Sequence, residues 1–357
     1  VDGAIVSGNG RNVRLWGTGA QLSDIVSLDA GAPLAGGNRE HIWLAEGASA
    51  TIDGAFFSDP GSPTLFNLAE RNGRLTVRDY GLATGEGTVT SKKGTGSVLT
   101  LDGQRVVVAA GTAGADLIGG TAGADALIGG AGDDMLVGNA GDDVLTGGSG
   151  ADILVGGAGR DLLSYAGSDA AVQVDLMRLS ASGGDAAGDL FDGFEDVEGS
   201  AFADTLAGDA GANRLFGGNG DDTLSGRDGD DVLDGGAGAD LLDGGAGIDR
   251  VDYGSSGAGV VVDLADGAAS GGAAAGDRLI GIEAVDGSAF ADALSGTGSA
   301  DWIAGGAGDD RIDGRGGDDL LVGGAGADML IGGAGAGCAD YSGSGGAVTV
   351  HLVAGTG

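Results

Sequence analysis

From Gly111 onward the chain repeats every nine residues, and that period limits its fold more than any other feature. The first block reads GTAGADLIG, GTAGADALI, GGAGDDMLV, GNAGDDVLT, GGSGADILV and GGAGRDLLS. Position six is Asp116, Asp125, Asp134, Asp143, Asp152 and Asp161, and position eight is Ile118, Leu127, Leu136, Leu145, Leu154 and Leu163. A nonad with one large apolar residue is too short to bury anything alone, so neighbouring repeats must stack to make a core.

The block recurs at 199–252 and 287–340, so the starts at 111, 199 and 287 are evenly spaced and define a longer superrepeat. A spacer follows each block, at 165–198 after the first and at 253–286 after the second. The spacers open with Tyr165, Tyr253 and Tyr341, continue with VQVDL, VVVDL and VTVHL, and the first two close with FEDVEGSAFAD and IEAVDGSAFAD. The expected divisions are a β-rich N-terminal domain at 1–110 and then units at 111–198, 199–286 and 287–357. The last unit stops in mid-pattern, and the chain reads as a piece of a longer protein.

Backbone geometry explains the glycines at positions one, two and four: they permit left-handed angles and close approach between turns. The stretch x-U-x makes a very short strand whose central side chain points inward. Two nonads then form one coil, with Ile118, Leu136 and Leu154 facing Leu127, Leu145 and Leu163 across a thin core. Coiling stacks every second aspartate at the strand spacing of roughly 4.8 Å. Such carboxylates repel one another unless a cation lies between them.

Charge points the same way. Residues 1–110 carry nine Lys/Arg and eleven Asp/Glu, whereas residues 111–357 carry eight and forty-two. A region this acidic is unsuited to phosphate binding, which excludes nucleic acid and anionic membranes as partners. No run approaches the ~20 apolar residues of a membrane span. Calcium fits best: it takes 6–8 oxygen ligands, carbonyls of glycine-rich turns included, at about 2.3–2.6 Å. Histidine and cysteine are too few for a zinc site, and magnesium prefers a rigid octahedron with its own waters. Without the metal, an acidic glycine-rich tract is expected to be largely unfolded.

The nonads match G-G-x-G-x-D-x-U-x and resemble the RTX (repeats-in-toxin, haemolysin-type) calcium-binding family over residues 111–340. The resemblance implies a parallel β-roll, a calcium-bound β-solenoid, in tandem modules. It also implies several calcium ions, type I secretion and folding outside the cell. The expected metal ligands are Asp116, Asp125, Asp134, Asp143, Asp152, Asp161, Asp204, Asp222, Asp231, Asp240, Asp249, Asp292, Asp301, Asp310, Asp319 and Asp328. Asp133 and Asp142, at position five, are expected to add acidity more than ligation.

Departures mark weaker points. Asn213 replaces one aspartate, Phe202 and Phe290 replace the third glycine of their nonads, and the nonad from Gly332 has Gly337 and Ala339 where Asp and an apolar residue belong. Cys338, the one cysteine, falls in that degenerate repeat and reads as an inert small side chain. The spacer tyrosines are expected to cover the open end of the preceding roll. Val172, Val174 and Leu176 should form a strand that packs beside a second element ending at Phe194 or Ile282. In residues 1–110 the aromatics Trp16, Trp43, Phe56, Phe57, Phe66 and Tyr80 read as core.

Catalytic patterns are missing: His41 and His351 are the two histidines, and neither G-x-S-x-G nor a P-loop occurs. The chain is therefore expected not to be an enzyme. Two functions remain open. One is a structural part of a large extracellular protein, an adhesin, surface layer or filament that self-associates or binds a cell-surface glycan. The other is the accessory region of a secreted enzyme or toxin whose catalytic domain lies elsewhere.

Overall fold

The computed structural model describes residues 111 and 113–343 in full, and within 1–110 the backbone of the strands alone. The aromatic side chains expected to form a core in 1–110, and the VTVHL segment with His351, lie outside the described residues. What is described is all-β apart from two short 3₁₀ turns, at Gly184–Ala186 and Gly272–Ala274. Two compact units divide the chain, one of residues 1–168 with 179–194, the other of 169–178 with 195–357.

In the first unit two parallel sheets are built from alternate nonads. One carries Leu117–Gly119, Met135–Ala140, Ile153–Ala158 and Leu190–Asp192, with Ile118, Leu136, Leu154 and Phe191 in register. The other carries Ala126–Ala131, Val144–Ser149 and Leu162–Ser164, with Leu127, Leu145 and Leu163 in register. Ladder partners come from every second nonad, Leu117 with Met135 and Ala126 with Val144, so two nonads do make one coil. The strands upstream join these sheets: Leu75 pairs with Leu99, and Leu99 with Ile118, both in parallel. The N-terminal strands thus also wind largely as a parallel solenoid, in longer coils that shorten towards the nonads.

The second unit follows the same rule. Val197, Leu215, Leu233, Val251, Val285, Ile303 and Leu321 run in register through one sheet. The facing sheet is crossed by the spacer. There Leu241–Ala246 pairs with Arg278–Ile280, which meets Ala268–Ser270 antiparallel, which meets Val261–Asp263 antiparallel, before the parallel ladder resumes at Ala293–Ser295. This spacer therefore lengthens one sheet and leaves the other unbroken.

The nonad strands put their position-eight residues inward, except in the last two nonads, where Leu330 is half-buried and Ala339 exposed. Leu127, Leu136, Leu145, Leu154, Leu206, Leu215, Leu224, Leu233 and Leu242 are all fully buried. Each such side chain contributes about 1.5–3 kcal/mol of hydrophobic stabilisation. Spacer residues Val172, Val174, Leu176, Phe194 and Ile282 are buried as well, as are Tyr165 and Tyr253. The degenerate nonad from Gly332 has an exposed Ala339 and an exposed Cys338.

Candidate metal ladder

Glycine has two distinct uses in the nonad. At positions two and four the backbone is left-handed, as at Gly130 (φ 108) and Gly132 (φ 106). Position one is not left-handed but has no room. A Cβ on Gly129 would lie 2.5 Å from Asp134 Oδ2 and 2.5 Å from the carbonyl oxygen of Gly147. Gly287 repeats this against Asp292 Oδ2 and the Gly305 carbonyl, both at 2.5 Å. Most position-one glycines of the nonads therefore leave a small cradle into which a carboxylate oxygen and a carbonyl oxygen from the next coil converge.

The position-six aspartates are brought together as the period requires, in columns that take every second nonad. Asp116, Asp125, Asp134, Asp143, Asp152, Asp161, Asp204, Asp222, Asp231, Asp240, Asp249, Asp292, Asp301, Asp310 and Asp319 are buried, and Asp328 is half-buried. One oxygen of each column member takes the backbone N–H of the member before it. Asp125 N–H donates to Asp143 Oδ1 at 2.7 Å, Asp134 N–H to Asp152 Oδ1 at 2.7 Å, and Asp222 N–H to Asp240 Oδ1 at 2.8 Å. The second oxygen is the anomaly. Oδ2 of Asp143, Asp152, Asp222, Asp240, Asp249, Asp310 and Asp319 is buried with no hydrogen-bond donor among the described residues.

Burying a carboxylate oxygen with no donor is expensive. The cost appears in the ionisation of the metal-free site. Burial pushes the Asp143 and Asp222 carboxyls up to about 7, and Asp249 and Asp310 up to about 6. Accepted backbone hydrogen bonds oppose this, and the charges of neighbouring aspartates add to it. No group of three or more acidic, histidine or cysteine side chains converges among the described residues. Oxygens without donors, facing carbonyls across a cradle, suit a hard cation that takes mixed carboxylate and carbonyl ligands. They do not suit a zinc ion, which needs nitrogen or sulfur.

Columns end differently from their interiors, and here residues outside the nonads enter. Asp189 and Asp277, both buried spacer residues, accept the N–H of Asp152 at 2.8 Å and of Asp240 at 2.9 Å. Their second oxygens take the hydroxyls of Tyr165 at 2.9 Å and Tyr253 at 3.0 Å. Glu283 Oε2 similarly accepts the Asp249 N–H at 3.0 Å. These residues were not among the expected site. For Asp189 and Asp277 the signal is the D-x-U-x-G spacing kept in DLFDG and DRLIG, one residue out of step with the nonads.

At the leading nonads, hydroxyl groups do the same. Ser200 Oγ donates to both carboxylate oxygens of Asp204 (2.9 and 3.0 Å), and Thr297 Oγ1 to both of Asp301 (2.9 and 3.0 Å). Asn213 keeps its place in the column, since its N–H donates to Asp231 Oδ1 at 2.8 Å. Its amide nitrogen donates to the Glu195 carbonyl at 2.9 Å, so the substitution carries its own donor. The position-five aspartates also have a role beyond acidity. Asp133 accepts the Ala151 N–H at 3.0 Å and Asp142 the Arg160 N–H at 2.9 Å, each tying one turn to the next coil.

The family model of the RTX calcium-binding nonapeptide repeat (4 copies) matches at residues 108–136, 128–163, 191–224, 216–251, 286–321 and 305–337. No curated protein matches the chain. No described helix is long and apolar enough to cross a membrane. The repeats at 108–163, 191–251 and 286–337 belong to the RTX calcium-binding nonapeptide repeat family, whose repeats bind calcium, and so many repeats imply several ions.

Proposed function

We propose that this chain is the calcium-folded structural region of a large secreted protein, and that it serves as a surface, filament or adhesin scaffold. The observation that carries the reading is the set of buried Oδ2 atoms without donors, stacked coil upon coil. Asp116, Asp125, Asp134, Asp143, Asp152 and Asp161 are the ligands in the first block. Asp204, Asp222, Asp231, Asp240 and Asp249 serve the second, and Asp292, Asp301, Asp310, Asp319 and Asp328 the third. Calcium neutralises the columns and lets the position-eight core close, so metal binding and folding are one event.

Three further points support a scaffold outside the cell. RTX repeats are typical of secreted proteins. Extracellular calcium modules bind at about 10⁻⁴–10⁻³ M, a range that keeps such a chain open where calcium is scarce and closes it where calcium is plentiful. The superrepeat extends a structure without adding any catalytic group, and a rigid module repeated in tandem gives length. The chain itself catalyses nothing in this reading. Its partners are calcium ions and either further copies of itself in a lattice or filament or a surface glycan.

Circular dichroism with calcium and with excess chelator tests the folding step. β-Structure should appear with the metal, and identical spectra would remove the coupling. Electron microscopy of the native assembly tests the scaffold. An ordered lattice or fibre that dissolves in chelator is expected, and soluble dispersed particles in calcium would refute it.

A further inference from the structure

In the fourth nonad of every block, position two departs from the glycine found in most other nonads. Asn139, Arg227 and Arg315 stand there, at φ 79, 83 and 62. Asparagine tolerates the left-handed region; arginine enters it at a cost that glycine avoids. An arginine recurring in that strained place one superrepeat later calls for an interaction that offsets the strain.

The structure contains one. Arg227 Nη1 donates to the carbonyl of Gly208 at 2.7 Å and to Asp175 Oδ1 at 2.8 Å, and Nη2 donates to Asp175 Oδ2 at 2.6 Å. Arg315 repeats every bond. Its Nη1 donates to the Gly296 carbonyl at 3.0 Å and to Asp263 Oδ1 at 2.8 Å, while Nη2 meets Asp263 Oδ2. Asp175 and Asp263 belong to the spacer before the block, 52 residues upstream of their arginines. Each arginine thus spans three strands. Gln173–Asp175 pairs with Thr205–Ala207, which pairs with Thr223–Asp228, and Val261–Asp263 leads likewise to Ala293–Ser295 and Arg311–Asp313.

Block 1 supplies the contrast. Asn139 Nδ2 donates to the Gly120 carbonyl at 2.8 Å, the matching carbonyl, but its short side chain carries no charge. The two-pronged arginine–carboxylate pairing belongs to blocks 2 and 3, the blocks that follow a spacer with aspartate in its VDL stretch. The bonds from Arg227 hold the Asp175 carboxyl well below the usual carboxylate range, and the partners are largely shielded from solvent.

We propose that Arg227 and Arg315 are built-in cations that latch each spacer onto the block after it without metal. They draw together a carboxylate and a position-one glycine carbonyl, the two oxygen types that converge in the interior of the ladder. The first coil of blocks 2 and 3 therefore takes its register from the chain's own charge, and calcium completes the coils beyond it. The latch deepens the calcium-folding reading, since it separates a metal-independent junction from metal-dependent interiors.

Hydrogen exchange followed peptide by peptide on the full chain, across a calcium titration, tests this with the double variant Arg227→Gly/Arg315→Gly. Glycine is the usual residue at that position and relieves the strain, so an arginine that is merely tolerated predicts equal or slower exchange in the variant. The latch predicts that strands 205–207, 223–228 and 293–295 exchange roughly tenfold faster at limiting calcium. Block 1 strands should keep the wild-type calcium midpoint. Asp175→Asn/Asp263→Asn should reproduce the loss, and combining all four changes should add little to it. Unchanged or slower exchange in the arginine variant overturns the latch. Interior strands that exchange alike with and without calcium would instead overturn calcium-driven folding, and the same variants would still judge the latch.

Discussion

Asp152 and Asp189 are successive members of one column, yet their second carboxylate oxygens meet opposite surroundings. Oδ2 of Asp152 is buried with no donor among the described residues, while Oδ2 of Asp189 takes the Tyr165 hydroxyl. Asp240 and Asp277 repeat the contrast, with Tyr253 as donor. Where another column member follows, the oxygen is left for a cation; at Asp189 and Asp277, the last members, the protein supplies a hydroxyl. An unbroken stack of carboxylates has to end somewhere, and a neutral donor ends it without requiring one more ion. The same tyrosines are buried, and burial keeps their hydroxyls firmly protonated.

The largest effect should come from removing the cation from the interior. Chelation is expected to abolish most of the β-structure of the nonad blocks, measured by circular dichroism, and re-addition of calcium should restore it. Retention of that structure in chelator would mean that the interior oxygens need no ion.

Column ends should respond to hydroxyl loss and hardly to calcium. Tyr165→Phe leaves a buried carboxylate oxygen without its donor and should cost about 1–3 kcal/mol at saturating calcium. Asp152→Asn, in the interior, should instead raise the calcium midpoint. Thermal denaturation across a calcium series separates the two, and a Tyr165→Phe variant as stable as wild type would erase the distinction between end and interior.

Protons offer a milder way to neutralise the interior. Burial raises the Asp143 carboxyl from 3.8 to about 7 in the metal-free fold, so the fold binds protons more tightly than the unfolded chain does. The contribution of such a group is fully present below about pH 4 and is lost as pH rises through about 7. Metal-free protein should therefore hold more β-structure near pH 4.5 than near pH 7.5, and the calcium midpoint should fall as pH rises because the ion displaces protons. A midpoint independent of pH would show that these carboxyls are already ionised before calcium binds.

The smallest effect is expected at the rung that carries its own donor. Asn213→Asp replaces an amide nitrogen by a carboxylate oxygen against the Glu195 carbonyl, so this rung of block 2 should begin to require calcium. Isothermal titration would then show one additional ion, and an unchanged stoichiometry would argue against the amide as a substitute for metal.

Much of this was legible in the sequence, because the nonad repeats residue identity as well as pattern. Ile118 to Leu163 as core, Asp116 to Asp161 as stacked carboxylates and two nonads per coil all follow from a nine-residue period that must bury one side chain per repeat. Asp189, Asp277 and Glu283 were harder to see, since the spacer keeps the local spacing but breaks the register. The bond from Asp133 to the Ala151 N–H was equally hidden, because it joins residues that meet only across a full coil. The glycines illustrate both cases: need for the residue is plain, whereas the reason differs between positions one and two.

By itself the sequence determined that this chain coils in parallel, buries one aliphatic side chain per nonad and stacks its aspartates, since no other arrangement satisfies so short a period. Only the tertiary structure decided how the stack ends, through tyrosine hydroxyls at Asp189 and Asp277, and where a second kind of cation enters, through arginines that reach carboxylates 52 residues away. The physical reason is range. A repeat constrains what lies one coil above or below it, but which donor meets a buried oxygen at a junction depends on how an unrelated spacer folds back onto the sheet.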